Sequence, residues 1–207
     1  MGAGGVNLPP EGYIERTYEI CREHNVLFVA DCVICGFGRL GTWLGIDRWD
    51  VKPDMIALAK GITGGTLPLG ALIVAPHVAE SFFAEPGGPT LRHGPTYAGQ
   101  PVCCAAGNAT LDIYERDGLI ERGRTLEGDL DRALRSVEGH PLVAEVRAGL
   151  GLLGAVELTP EALSGTPGII TKLVHAVRER GVIVRPLMRA VAVSPPLTIE
   201  PDEIEMI

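Results

Sequence analysis

Val26-Leu27-Phe28-Val29-Ala30 constrains the fold of this chain more than any other feature. Five apolar residues without polar alternation suit a strand buried on both faces, as in parallel sheets clothed by helices. The preceding residues agree. Pro9-Pro10 suit a first helical turn, Ile14, Thr17/Tyr18 and Cys21 recur at helical spacing, and Asn25 is a fitting stop. A helix running straight into a buried strand is half of a parallel α/β unit. The strand ends at Asp31. Ligands of open α/β sheets collect at the carboxyl ends of strands, so Asp31 stands where chemistry usually happens.

Pro53-Asp54 opens a second strand, Met55-Ile56-Ala57-Leu58, with Lys60 directly after it, and Leu69 to Val74 reads as a third. Glycines mark the connections, at Gly36, Gly38, Gly41 and Gly45, then at Gly61, Gly64 and Gly65, then through Glu85 to Gly99. A helix of small residues is expected from Gly99 to Glu115. The character changes near Gly118. A charged helix from Leu119 to Val137 carries Leu126, Leu130, Leu134 and Val137 on one face. Strands are expected at Val143–Val146, Gly151–Leu158, Val182–Val184 and Val191–Ser194, and a helix at Thr171–Arg180. A last helix opens at Pro201 and is cut short at Ile207. The expected organisation is α/β: a partial large domain over 1–120 with a mostly parallel sheet, then a small α+β C-terminal domain over 121–207.

Charge narrows the function classes. Lys and Arg number 18 against 26 Asp and Glu, a net −8, which argues against a nucleic-acid or anionic-membrane surface. No apolar run approaches the ~18 residues of a membrane span. Met1 to Gly5 lacks the basic and apolar regions of a secretory signal. The five cysteines are then expected to be reduced thiols of a cytoplasmic protein. Cys32-x-x-Cys35 has a spacing found in zinc and redox sites. A zinc ion would need two more ligands. The adjacent Cys103 and Cys104 diverge on a helix, leaving His93 as an outside candidate, so no metal is expected.

Three features sit at the ends of neighbouring strands: Asp31, Lys60, and the loop His93-Gly94-Pro95-Thr96-Tyr97. Leu58-Ala59 and Gly61-Ile62 frame Lys60 without an adjacent acid. Such surroundings tend to desolvate a lysine, lower its pKa and make it the nucleophile that a Schiff base requires.

These residues resemble a known family. Ala30-Asp31-Cys32-Val33-Ile34-Cys35-Gly36-Phe37-Gly38-Arg39-Leu40-Gly41 is similar to the signature of class III (ω-type) aminotransferases, fold-type I enzymes that use pyridoxal 5′-phosphate (PLP). Ala57-Leu58-Ala59-Lys60-Gly61-Ile62-Thr63-Gly64-Gly65 resembles the segment of their cofactor lysine. His93 to Pro101 resembles the loop whose Thr binds the cofactor phosphate across a dimer interface. Arg147 to Glu157 and Ser194-Pro195-Pro196-Leu197 resemble the small-domain blocks.

The resemblance implies a transaminase moving an amino group from an amine or ω-amino acid to a keto acid. It implies Asp31 against the pyridine nitrogen, Val33 against the ring, Lys60 on the aldehyde, Thr96 on the phosphate, and a homodimer or larger homo-oligomer. The alternatives are another PLP reaction, such as an aminomutase or decarboxylase, or a non-catalytic remnant of the fold.

Two departures stand out. The family has Asp-Glu-Val where this chain has Asp31-Cys32-Val33. Many members acting on amino acids have an Arg two residues before Ser-Pro-Pro, where this chain has Ala192, so a bidentate carboxylate clamp is missing there. Family chains are also roughly twice as long. Their N-terminal part carries a glycine/serine phosphate cup, and this chain by itself is expected to bind PLP weakly or not at all.

Overall fold

The computed structural model describes residues 2–83 and 85–207, and in it the apolar run 26–30 is only partly a strand. Residues 11–37 and 44–117 form one compact unit; residues 2–10, 38–43 and 118–207 form the other. The change falls at 117/118, with two earlier segments joining the second unit. A single cut at 120/121 does not describe that division.

In the first of these units, helix α1 is Tyr13–Glu23. It ends at Asn25, which takes a left-handed φ of 52° that Asn tolerates better than most residues. Strand β1 is Val29–Asp31, β2 is Met55–Leu58 and β3 is Ala71–Val74, in the order β1-β2-β3. β1 and β2 run parallel, with Ala30 beside Ile56 and Asp31 beside Ala57. β2 and β3 run antiparallel. The sheet is therefore mixed, and the mostly parallel sheet expected from the sequence is not what these strands make. A parallel return needs a crossover, usually a helix. The chain between β2 and β3 holds only a 3-10 turn, Lys60–Thr63.

Burial on both faces is not found either. Ala30, Ile56 and Leu58 are buried, whereas Val26, Leu27 and Val29 are each about half exposed and all of β3 is exposed. β1 is an edge strand, and its outward row has no neighbour within the unit.

A polar hub anchors this sheet. Asp54, 1% exposed, accepts hydrogen bonds from Arg22 (Nη1, 3.0 Å) and from the Phe28 backbone N–H (2.6 Å), and pairs with His77 Nε2 (2.8 Å). It thereby ties α1, the entry to β1 and helix α2, Pro76–Phe83. The Arg22 guanidinium, then burial working against it, then the Phe28 N–H set the balance that holds the Asp54 carboxyl well below the usual carboxylate range. Helix α3, Pro101–Arg116, starts on Gln100, whose side chain accepts the Cys103 N–H at 2.8 Å.

The second unit begins its main run with α4, Leu119–Thr125, and α5, Glu127–Arg135. The expected single helix is interrupted at Leu126. Leu126, Leu130 and Leu134 are buried, while Val137 is 41% exposed. Strands β4 (Val143–Arg147) and β5 (Gly154–Leu158) are followed by α6 (Pro160–Gly165), α7 (Ile169–Glu179), β6 (Arg185–Pro186), β7 (Ala190–Val193) and α8 (Pro201–Glu205). The sheet is antiparallel throughout, in the order β4-β5-β7-β6. The strand expected at 182–184 is displaced to β6, and α2 and α6 were not anticipated.

The early segments join this unit through arginines. Arg147 donates to the Gly5 carbonyl (2.8 Å) and pairs with Glu157 (2.7 Å). Arg39 donates to the carbonyls of Leu152 (2.6 Å) and Pro195 (2.7 Å). A Cβ at Gly151 would lie 2.1 Å from the Arg39 carbonyl oxygen, so only glycine permits that approach. Among the described residues, no helix is long and apolar enough to cross a membrane.

Candidate active site

Pairing register brings Asp31 and Lys60 to one edge of the sheet. Asp31 is the last residue of β1 and lies beside Ala57 of β2. Neighbouring strands lie ~4.8 Å apart, and paired residues project to the same face. Asp31 thus shares its face with Ala57, while Ala30, Ile56 and Leu58 face the buried side. Lys60 follows β2 by two residues, at the same carboxyl edge.

Local structure holds each residue. The Val33 N–H donates to Asp31 Oδ1 at 3.0 Å, closing a small turn that fixes the carboxylate. Val33 itself is half-buried. Lys60 has a left-handed φ of 50°, an unfavourable value for a residue with a Cβ. Such conformations persist only where the surroundings impose them. Here Gly61 does so. Its carbonyl accepts the Tyr114 hydroxyl at 2.8 Å, and a Cβ on Gly61 would sit 2.8 Å from Phe37 Cβ. Phe37 and Tyr114 stack with ring centroids 6.1 Å apart. Thr63, buried, donates its hydroxyl to the Leu67 carbonyl at 2.6 Å and accepts Thr66's at its own carbonyl. The backbone carrying Lys60 is therefore clamped on both sides, while its side chain is exposed.

Lys60 is exposed, unlike the desolvated setting expected for it, and Asp31 is exposed as well. Both side chains lie on the open edge. The amine of Lys60 makes no ion pair among the described residues. Thr96 is exposed within residues 85–100, in a turn closed by the Ala98 N–H on the Pro95 carbonyl (3.0 Å).

Sequence reasoning gave no role to Tyr114. Its signal was a tyrosine in a helix of small residues, and nothing local revealed that its hydroxyl reaches Gly61. Among the described residues, no group of three or more His, Cys, Asp or Glu could hold a metal ion.

Comparison with known proteins shows the family. The class-III aminotransferase family model matches residues 1–207. The chain belongs to that family. It is 36% identical to gamma aminobutyrate transaminase 3, chloroplastic, of Solanum lycopersicum, over 99% of this chain and 40% of that protein. It is 38% identical to an omega-aminotransferase of Caulobacter vibrioides, over 99% of this chain and 46% of that one. The solved (S)-enantioselective omega-transaminase of Thermomicrobium roseum superposes with a TM-score of 0.90 at 38% identity, covering 100% of this chain and 46% of the other. The fold is thus part of the fold-type I architecture, and the chain spans less than half the length of these relatives.

Proposed function

We propose that this chain carries the lysine and the ring-nitrogen carboxylate of a PLP-dependent transaminase that moves an amino group from an amine or ω-amino acid to a keto acid. The observation that carries this reading is the pair Asp31 and Lys60 on one carboxyl edge of two parallel strands. A primary amine that makes no ion pair among the described residues and a carboxylate fixed by a backbone N–H are the donor set that a pyridine aldehyde requires.

When bound, PLP supplies an electron sink for charge building on the substrate Cα. In this reading the Asp31 carboxylate keeps a proton on the pyridine nitrogen, because an adjacent anion favours the charged form. Val33 would pack against the ring. The Lys60 amine would hold the aldehyde carbon and, as a free amine, would accept a proton from the substrate Cα. The left-handed backbone at Lys60, held by Tyr114 and Phe37, restricts where that amine is delivered. Thr96, with its exposed hydroxyl, serves the phosphate of a neighbouring subunit in a homodimer or larger homo-oligomer. Ala192, buried in β7, offers no guanidinium for a second carboxylate, which favours amines or ω-amino acids as donors. A cytoplasmic setting belongs to the same reading, supported by five free cysteines.

Borohydride reduction in the presence of excess PLP tests the proposal. The other two lysines, Lys52 and Lys172, are internal controls. The expected result is a phosphopyridoxyl label concentrated on Lys60 and lost in Lys60→Ala. Equal labelling of all three lysines would sink it.

A further inference from the structure

Cys32 and Cys35 flank Val33 and Ile34 in the turn that follows Asp31, and neither has a place in the reaction above. The Gly36 N–H donates to the Cys32 carbonyl at 2.9 Å, closing one helical turn. Residues three apart in such a turn share a face, with Cβ atoms about 5–6 Å apart. A disulfide needs roughly 3.5–4.5 Å, so a modest tightening of this turn suffices.

The surroundings divide the two sulfurs. Cys32 is 2% exposed. The Cys35 side chain and the backbone N–H groups of Ile46 and Gly45 act on its sulfur in the direction of the thiolate. The Cys35 hydrogen bond, opposed by burial and by the charge of Asp47, holds the Cys32 thiol below its ordinary range. Cys35 is pushed up, first by its hydrogen bond to Cys32, then by burial, with Asp31 acting in the same sense. Its Sγ also lies 3.6 Å from the Asp31 carbonyl oxygen. A Cβ at Gly45 would lie 2.5 Å from Cys35 Sγ, so glycine is what lets the 44–46 backbone press on the pair. Of the two thiols, Cys32 is therefore the easier to deprotonate.

We infer that Cys32 and Cys35 form an oxidisable pair that a small hydroperoxide closes to a disulfide. The Cys32 thiolate attacks hydrogen peroxide; an S–O bond forms, the O–O bond breaks, and hydroxide leaves. The Cys35 thiol then attacks the resulting sulfenic acid; an S–S bond forms, the S–O bond breaks, and water leaves with the Cys35 proton. Both sulfurs are oxidised and the peroxide is reduced. Burial of Cys32 selects an oxidant of this size over bulkier disulfides. Closure removes the S–H beside the Asp31 carbonyl and tightens the turn whose Val33 N–H fixes Asp31 Oδ1. The pair stands independently of the cofactor reading, since its chemistry needs no PLP.

Tryptic residues 23–39 contain both cysteines and no other. After titration of the reduced protein with hydrogen peroxide and alkylation, that peptide is expected to lose two hydrogens. It should do so on the order of tenfold faster than Cys21, Cys103 or Cys104 react. In Cys35→Ser, Cys32 should stop at a sulfenic acid that dimedone captures; in Cys32→Ser, Cys35 should stay reduced. In urea the preference should vanish, because the N–H groups of residues 45 and 46 no longer act on the sulfur. Oxidation of the other three cysteines ahead of this peptide, or a preference that survives urea, would overturn the inference.

Discussion

β3 and β7 are nearly the same strand in sequence and opposite in environment. Ala71-Leu72-Ile73-Val74 is exposed along its whole length, whereas Ala190-Val191-Ala192-Val193 is buried along its whole length. β7 lies inside a four-stranded antiparallel sheet, between β5 and β6. β3 is an edge of a three-stranded sheet, and no row of side chains on it is covered within its unit. Apolar composition therefore does not state burial; a strand is buried by what packs on it. The candidate chemistry sits on the less covered sheet. What holds that sheet is the Asp54 hub and the clamp around Gly61, rather than a deep apolar core.

That contrast can be broken by substitution. Leu130→Ala, in the buried face of α5, is expected to cost ~3 kcal/mol, through lost transfer energy and the cavity left behind. Urea unfolding followed by circular dichroism measures it, and a loss under ~1 kcal/mol would mean the second unit is no better packed than the first.

Asp54→Ala is expected to cost ~2–3 kcal/mol, by leaving the Phe28 N–H and His77 without their acceptor. The same carboxylate gives a pH signature. Its folded pKa is depressed, so its stabilisation is fully present above the unfolded value of about 4 and is lost as pH falls below it. Unfolding curves between neutral and acid pH should steepen less in Asp54→Ala than in the parent, and an equal acid loss in both would remove Asp54 as the anchor.

Tyr114→Phe is expected to cost ~1 kcal/mol and to speed amide exchange in the Lys60–Thr63 turn, while β7 stays unchanged. Unaltered exchange there would deny the clamp. Leu72→Ser, at an exposed position, should stay within ~0.5 kcal/mol. A larger loss would show that β3 is covered after all.

Much of this protein could be read locally. The carboxyl ends of two apolar runs located Asp31 and Lys60, and the structure puts both residues at one sheet edge. Asn25 stops α1, and Leu126, Leu130 and Leu134 form a buried stripe. Other features escaped because their causes lie far along the chain. Arg39 is spent on the carbonyls of Leu152 and Pro195, more than a hundred residues further along. The exposure of Val29 depends on β1 having no outer neighbour within its unit, which its own five apolar residues cannot express.

The amino-acid order alone determined where β1 and β2 end, which polar side chains follow them and which family the chain resembles, because turn chemistry and apolar periodicity act over a few residues. Tertiary structure decided which faces are covered, that residues 38–43 join the second unit, that Tyr114 holds the backbone of Lys60, and that Gly45 packs against Cys35. Those outcomes depend on backbone and side-chain groups distant in sequence meeting at hydrogen-bond range, and no local pattern records such a meeting.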